Sequence, residues 1–281
     1  MKKFILISSI TFLSFGVNIL YGQSNTCGTY ISNSQKSLET KFTITEGKQS
    51  TSLLQVNKTI DISVFVVKEQ NPPYFDATSL NGIIANLNQY FSPIALSFKI
   101  CSTTTINNFQ FDHVDANGNA KELTVQFGEQ NTINLFLVTN ITDQNGMPVC
   151  GYTYMPGDTG KNYIFMAKDC IQGITLAHQL GHFFNLYHTD ETAFGLELPD
   201  GTNCTTTGDR CCDTNASPDL SIDGTVSNCI YTGTTKRSNQ IYSPSTKNIM
   251  ALSPVICRCT FSRTQFLRII YALNNFRTYL R

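Results

Sequence analysis

The sequence predicts an α+β protein, with a mixed sheet and few helices in its first part and a disulfide-held region after it. Short runs rich in β-branched and aromatic residues are separated by Asn-Gly and Pro-Gly breaks, which is typical of strands joined by turns. Three apolar segments have helical spacing instead. Six of the ten cysteines fall between 204 and 259, where hydrophobic periodicity is weak. We therefore expect cross-links and bound ions, more than a core, to hold that region.

The first 22 residues are predicted to be a secretory signal. Lys2 and Lys3 precede the apolar run 4–19, and Gly22 offers a small residue before a cut at Gln23. The run is shorter than a comfortable membrane span, and no other stretch of about 18 apolar residues follows it. The cysteine count agrees with export, because disulfides persist in oxidising compartments. We expect a secreted protein, extracellular or periplasmic, whose mature form does not contact a membrane.

The remaining chain divides into a leader and one large domain. Residues 23–57 are polar and irregular, and we interpret them as a leader or pro-segment, called the leader below. Residues 58–281 are predicted to form a domain with an upper part of about 58–185 and a lower part of about 186–281. Strands are expected at 60–66, 96–106, 132–141, 151–155 and 163–166, and helices at 80–91, 173–184 and 262–281. Ser262 and Gln265 have the spacing of a capping box at the start of the last helix.

The charge balance excludes some classes of function. The chain has 20 basic and 20 acidic side chains, so a nucleic-acid binder that works by bulk charge is excluded. It contains no glycine-rich phosphate loop of the G-x-x-x-x-G-K type, so nothing indicates an organic cofactor. We expect a monomer with no nucleic-acid partner.

Three of the four histidines fall within eleven residues, His178, His182 and His188 in the segment HQLGHFFNLYH. A spacing of four places the first two imidazoles on one face of a helix, which suits two corners of a tetrahedral zinc site. The third can join them only if the chain turns sharply. Asn185 lies where this turn must occur, and Asn tolerates the left-handed backbone conformation. The pattern predicts a zinc site, and the alternative is histidines that only cap or pack.

This segment resembles the metzincin zinc peptidases, whose pattern is H-E-x-x-H-x-x-G-x-x-H followed downstream by a methionine-containing turn. Within them it is most similar to the pappalysin family, because the segment 186–189 follows the Gly-equivalent position. Asn248-Ile249-Met250 stands where the Met-turn is expected. The resemblance implies a twisted mixed sheet with backing and active-site helices above. Below these it implies a disulfide-rich subdomain that contains the Met-turn and the C-terminal helix.

The family also implies a substrate and a way of binding it. The segment 151–156 is similar to the family's strand at the edge of the cleft, which pairs with an extended polypeptide. Gly151, Thr153 and Met155 are therefore the expected substrate-edge residues. The resemblance implies zinc-dependent hydrolysis of peptide bonds.

Two departures from the family pattern bear on activity. The residue after the first histidine is Gln179, where the family has a glutamate that serves as the general base. An amide does not accept a proton, so a contribution of roughly 10² to 10⁴ in rate should be missing. Leu252 replaces a tyrosine two residues after Met250. We expect a scaffold with impaired hydrolysis; the alternatives are an active peptidase in which Asp190 or Glu191 supplies the base, and a peptide-binding pseudopeptidase.

The resemblance carries weaker implications for a second cation and for the cysteines. Asp209, Asp213 and Thr214 resemble a segment that binds calcium in some family members, and solvated loop acids are the alternative. Cys27-Gly28-Thr29 is similar to a pro-segment motif whose thiolate occupies the fourth zinc position, and a simple disulfide is the alternative. By resemblance, Cys204 would pair with Cys229, and Cys212 with Cys257 or Cys259. A four-cysteine zinc cluster is the rival to disulfides, but the spacings do not give two C-x-x-C pairs.

Overall fold

The computed structural model describes residues 27–39, 55–116, 118–157, 162–223 and 226–280. The predicted signal segment lies outside these residues, as does much of the leader. The strands are, in chain order, β1 (Lys58–Val67), β2 (Leu96–Ile106), β3 (His113–Asp115), β4 (Ile133–Val138), β5 (Asn140–Thr142), β6 (Gly151–Thr153), β7 (Tyr163–Ala167), β8 (Val226–Ser227), β9 (Ile230–Tyr231), β10 (Lys236–Arg237) and β11 (Gln240–Ile241). The α-helices are α1 (Asn33–Glu39), α2 (Leu80–Phe91), α3 (Ala120–Phe127), α4 (Gly173–Phe183), α5 (Leu220–Asp223) and α6 (Arg263–Asn275).

A five-stranded mixed sheet with the order β2-β1-β4-β7-β6 forms the upper part. The first four strands in this order pair in parallel, and β6 joins β7 antiparallel at the end of the sheet. One edge of β6 is therefore free of any other strand of this sheet. The expected strand at 132–141 is divided into β4 and β5, and β5 pairs with β3 in a small separate sheet. The helices expected at 80–91, 173–184 and 262–281 correspond to α2, α4 and α6.

Both faces of the sheet are buried at β4 and β7, which explains why these two parallel strands read as continuous apolar runs, whereas the edge strand β2 is partly exposed. Alternate residues of β1, such as Ile60 and Val64, join a core with apolar residues of α2, α4 and α6. Phe65 and Val67 face the other way and pack with Phe136 and with Leu123 of α3. Helix α4 packs against α2 and β6, so the histidine segment lies beside the edge strand.

Between residues 204 and 257 the chain forms short hairpins and disulfides, whereas α6 and the segment around Met250 join the main core. Cys204 is bonded to Cys212 and Cys229 to Cys257, so the pairings implied by resemblance are wrong. The loop 204–212 turns back on itself, and the Cα atoms of Cys204 and Cys212 at its two ends are 5.1 Å apart. Because Cys204 is bonded within this loop, Cys229 pairs with Cys257 instead. A third disulfide joins Cys150 to Cys170, between the start of β6 and the turn before α4. Cys27, Cys101, Cys211 and Cys259 are free.

Two further findings concern the termini and the membrane. Helix α6 begins at the expected capping box, in which the Ser262 hydroxyl accepts a hydrogen bond from Gln265 N and the Gln265 side chain accepts one from Ser262 N. Within the described part of the chain, no helix is both long and apolar enough to cross a membrane.

Candidate metal centre and cleft

The three histidines of the HQLGHFFNLYH segment converge. The Nε2 atom of His178 lies 3.2 Å from that of His182 and 3.1 Å from that of His188, and the last two are 3.0 Å apart. The turn that brings the third imidazole back contains Asn185, whose φ of 73° lies in the left-handed region. The sequence pattern therefore produces a cluster of three imidazoles at the end of α4.

Backbone carbonyls fix which nitrogen faces the centre in two of the three rings, those of His178 and His182. His178 Nδ1 donates a hydrogen bond to the carbonyl of Ile249 at 2.7 Å, and His182 Nδ1 donates to the carbonyl of Leu186 at 2.9 Å. With the proton on Nδ1, the lone pair of each Nε2 points to the centre of the cluster. Nitrogens about 2.0–2.1 Å from zinc at tetrahedral corners are roughly 3.3 Å apart, so the donor set fits zinc.

The predicted Met-turn lies directly beneath the histidines. Met250 is fully buried, and a Cβ added at Gly181 would collide with its sulfur. The turn is held by the Asn248 side chain, which accepts a hydrogen bond from Met250 N and exchanges two with Gln265 of α6. Because the Ile249 carbonyl accepts from His178, this turn both supports α4 and orients one imidazole.

Cys27 of the leader adds a fourth donor to the cluster. Its Sγ atom and the three Nε2 atoms all lie within 4.8 Å of one another, the only such group of possible metal-holding side chains in the described residues. Burial alone raises the pKa of the Cys27 thiol, but attraction to His182 and hydrogen bonds with the three histidines lower it well below its usual value. A thiolate is the form of cysteine that binds metals.

Gln179 faces the same centre, but its amide is bonded to the leader. Its Nε2 donates to Cys27 Sγ at 3.2 Å, and its Oε1 accepts from the Thr29 hydroxyl at 3.3 Å. The residue is 3% exposed. Of the two acids considered as substitutes, Glu191 accepts hydrogen bonds from Thr192 N and Ala193 N. Asp190 keeps a buried oxygen with no hydrogen-bond partner, and burial raises its pKa to about 6.

The leader occupies the free edge of β6. Gly28 N donates to the Gly151 carbonyl at 2.9 Å, in a parallel bridge between Cys27 and Gly151. The Thr29 hydroxyl accepts from Thr153 N at 3.1 Å. Two of the expected substrate-edge residues thus contact the leader, whereas Met155 is buried and lies beyond the end of β6.

A second contact of the leader is made by Glu39, the last residue of α1. Its carboxylate accepts hydrogen bonds from Arg268 Nη1 and Nη2 at 2.6 and 2.8 Å, and from the Tyr187 hydroxyl at 2.8 Å. Arg268 is 1% exposed and Glu39 is 3% exposed. Burial alone raises the pKa of Glu39, but the charge of Arg268 lowers it below its usual value. The leader is therefore joined to α6 and to the segment before His188 by a buried ion pair.

The residues proposed for calcium do not form one oxygen cluster. Asp209 is buried and accepts from the Thr214 hydroxyl at 2.9 Å. Asp213 instead accepts from the Ser262 hydroxyl and from Thr264 N, at the start of α6. The Asp213 carboxylate stabilises this helix N-terminus, where backbone N–H groups lack partners, and its part in a calcium site stays a prediction.

The fold and the histidine cluster together define a zinc metallopeptidase scaffold of the metzincin class. The sequence model of the family described as pregnancy-associated plasma protein-A matches residues 133–274, half of the chain. The chain belongs to this family, the pappalysins, and the predicted α+β metzincin-like fold is confirmed.

Individual relatives agree with this assignment. An extracellular metalloprotease of Sordaria macrospora is 24% identical over 85% of this chain and 81% of its own length. An extracellular metalloprotease of Arthroderma otae is 22% identical over 50% of this chain. The matched region covers only 56% of the length of that relative. Among solved structures, mirolysin in complex with compound 9 aligns with a TM-score of 0.56 at 15% identity, covering 77% of this chain and 92% of the other. Mature mirolysin of Tannerella forsythia in complex with a cleaved peptide aligns with a TM-score of 0.54 at the same identity and coverage.

Sequence reasoning missed Glu39, Glu197 and Arg258, and it gave Thr29 no role beyond its place in the motif Cys27-Gly28-Thr29. For Glu39 the sequence does contain an indication at its partner, because Arg268 lies among the apolar residues of the last helix and a buried arginine needs a carboxylate. For Glu197 and Arg258 the sequence contains no such indication, since their surroundings come from distant parts of the chain.

Proposed function

We propose that this chain is a secreted, zinc-binding pappalysin-type protein that holds extended polypeptides in its cleft and hydrolyses them slowly. His178, His182 and His188 would hold the zinc, as their converging Nε2 atoms support. The observation that carries the proposal of slow hydrolysis is the amide of Gln179 at the metal centre, where the reaction needs a base. Secretion is supported by the relatives named extracellular metalloproteases.

The chemistry of the side chains sets the expected loss. Bound zinc would supply a Lewis acid that polarises the scissile carbonyl. Gln179 can orient a water molecule by donating or accepting a hydrogen bond, but it does not take up the proton that the water must lose. The expected deficit is roughly 10² to 10⁴ in rate relative to a glutamate at the same position.

The leader is proposed to keep the cleft closed. It uses the Gly151 carbonyl and the Thr153 N–H, which are the groups that an extended polypeptide would pair with on an edge strand. Cys27 would take the fourth position at the metal. Polypeptides would therefore enter only after the leader has left β6.

Asp190 favours one alternative, an active peptidase that uses a neighbouring acid. It is the one of the two nearby acids whose carboxylate keeps a buried unpaired oxygen. If the Asp190 carboxylate reached the attacking water, it could accept the proton, and Gln179 would lower the rate of hydrolysis only slightly. A pseudopeptidase that only binds peptides is the other alternative, and the strand-like contacts of the leader on β6 support it.

The test compares Gln179→Glu with the natural glutamine, both in a Cys27→Ala background and both refolded with zinc. We expect the glutamate version to cleave a denatured protein about a hundredfold faster or more. His182→Ala in the faster version controls for contaminating proteases. Similar, measurable rates that fall with Asp190→Asn would replace the proposal by the active-peptidase alternative. Stable binding of peptide with no turnover in either version would favour the pseudopeptidase.

We also propose a cation site at Glu197, Asp209 and Thr214, with calcium as the ion. Glu197 is 5% exposed, and both of its carboxylate oxygens are buried without a hydrogen-bond partner. Its carboxylate lies against Gly208, and the pKa of Asp209 is raised to about 8, mainly by burial and to a smaller extent by the charge of Glu197. Oxygen ligands of this kind suit a hard cation. Calcium should raise the Tm of the natural chain and not that of Glu197→Gln; an equal shift in both would remove the site.

A further inference from the structure

A small pocket lies beside the metal centre, and the proposed hydrolysis uses only one end of it. His178 and Gln179 line that end, Met166 and Val255 line apolar walls, and Arg258 also borders the space. At most about 270 Å³ of this space is free of atoms, and part of it is open to solvent. It is therefore smaller than the pockets of about 300–1,000 Å³ that hold whole drug-sized ligands, and we consider one side chain of a larger ligand as its occupant.

Arg258 is the unusual member of this lining. It is 6% exposed, yet its Nη2 atom is buried and makes no hydrogen bond. Among the described residues, no carboxylate lies within ion-pair distance of its guanidinium group. A buried charge without a partner is costly, so a site that retains one is expected to gain that partner from a ligand.

The guanidinium group is fixed by a hydrogen bond through its Nε atom. Its Nε donates to the Ser253 carbonyl at 2.7 Å, and the Ser253 hydroxyl donates to the Thr246 carbonyl at 2.7 Å. The neighbouring Cys257 is bonded to Cys229. These contacts use Nε and the backbone, so the Nη groups have no partner in the part of the chain that the structure describes, and Nη2 is buried in the state with the leader docked. Such preorganised donors are what recognition of a carboxylate requires.

Two negatively charged groups act on Arg258 while the leader is docked. Burial lowers the pKa of Arg258 to about 10, while the charges of Cys27 and Asp190 act in the opposite direction. Neither of these groups is bonded to Arg258. Cys27 belongs to the leader, so its negative charge leaves the pocket when the leader leaves β6.

We propose that Arg258 selects polypeptides with an acidic side chain, glutamate above all, at a position flanking the bond that lies at the metal centre. The methylenes of a glutamate would contact the apolar walls formed by Met166 and Val255, and its carboxylate would receive the Nη donors of Arg258. This inference rests on the proposed function, because it assumes that a polypeptide replaces the leader on β6. Arg258 would be a specificity-determining residue.

The experiment measures peptide binding by the zinc-loaded full chain that carries Cys27→Ala and Glu39→Gln, which free the leader. Cleavage by trypsin at Lys36, an exposed residue of α1, verifies that the leader is released. Two series of fluorescent extended peptides are compared. In the first series, Glu, Gln or Lys stands on the N-terminal side of the central bond, and in the second series it stands on the C-terminal side. Because Gln179 is retained, the peptides should persist long enough for anisotropy measurements.

We expect the Glu peptide of one series to bind about tenfold or more tightly than its Gln counterpart, as charge-assisted hydrogen bonds allow. Arg258→Gln should remove this preference, and Lys121→Gln, which removes an exposed charge on α3, should keep it. If Arg258→Gln fails to fold, the comparison of the Glu and Gln peptides on the unchanged pocket still decides. Binding without preference for Glu in either series would overturn the inference alone. No binding of any peptide to a chain with a released leader would overturn the proposed function and the inference with it.

Discussion

The buried ion pair between Glu39 and Arg268 predicts how firmly the leader is held. In the docked state, Glu39→Gln leaves the Arg268 guanidinium charged, 1% exposed and without its carboxylate. When the leader is released, the same guanidinium can be hydrated. The substitution therefore penalises the docked state alone.

The size of the effect follows from the nature of the contact. Removing one partner of a buried ion pair costs about 3–5 kcal/mol. At about 1.4 kcal/mol per factor of ten, release of the leader should become easier by about two to three and a half orders of magnitude. Acid should act in the same direction. Because the pKa of Glu39 is lowered in the docked state, the stabilisation is present above the free pKa of about 4.3 and is lost as pH falls through the docked value.

Trypsin cleavage at Lys36 measures this release, because the residue is exposed but lies in a helix while the leader is docked. Cleavage should be much faster in Glu39→Gln than in the natural chain, and unchanged in Glu122→Gln, which alters an exposed glutamate of α3. If trypsin cleaves Glu39→Gln and the natural chain at the same rate, and their Tm values are equal, the ion pair does not hold the leader and the prediction is refuted.

Three further predictions concern the metal centre and the lower part. Refolded natural chain should contain about one zinc per molecule by metal analysis, and His182→Ala should contain little, because the site needs at least three protein ligands; retention of full zinc by His182→Ala would contradict the ligand set. Burial raises the pKa of Glu197 to about 7 and that of Asp209 to about 8, so the stabilisation that their protonated forms give is present below about pH 4 and is lost as pH rises towards 8. Without added cations, the Tm of Glu197→Gln should fall less than that of the natural chain between pH 5.5 and 8, and parallel curves would show that Glu197 is not responsible. Asp213→Ala should lower the free energy of unfolding in urea by about 1 kcal/mol, because Thr264 N and the Ser262 hydroxyl lose their acceptor, and an unchanged urea midpoint would contradict this capping role.

The parts of the fold that the sequence predicts are those whose information is local. Alternation in β1 and helical spacing in α2 and α6 depend on which face of one element is buried, and neighbouring residues record that. Helix α1 was missed because its sequence NSQKSLE has one large apolar residue and so no periodicity. Its position depends on the contact of Glu39 with Arg268, 229 residues away.

The same distinction applies to the site. His178 and His182 share one helix, and Asn185 marks the turn to His188, so the cluster can be inferred from spacing. The Cys204–Cys212 disulfide closes one local loop, which leaves Cys229 to pair with Cys257. That second pairing and the surroundings of Arg258 depend on segments distant in sequence, and no spacing within one element encodes them. Resemblance supplied the wrong cysteine pairs because pairing follows loop geometry in this chain.

Gln179 links the loss of the base to the position of the leader. Its amide donates to Cys27 Sγ and accepts from the Thr29 hydroxyl, so both halves of the amide hold the leader. A glutamate at this position would have no N–H to donate and would place a negative charge beside a thiol whose pKa is lowered. The substitution that restores a base should therefore also weaken docking of the leader. Trypsin should cleave Gln179→Glu at Lys36 faster than the natural chain, and most of the difference should disappear in a Cys27→Ala background, as a double-mutant cycle requires. Equal or slower cleavage of Gln179→Glu would show that the glutamine does not hold the leader, and its presence would then have to be explained by the chemistry at the metal alone.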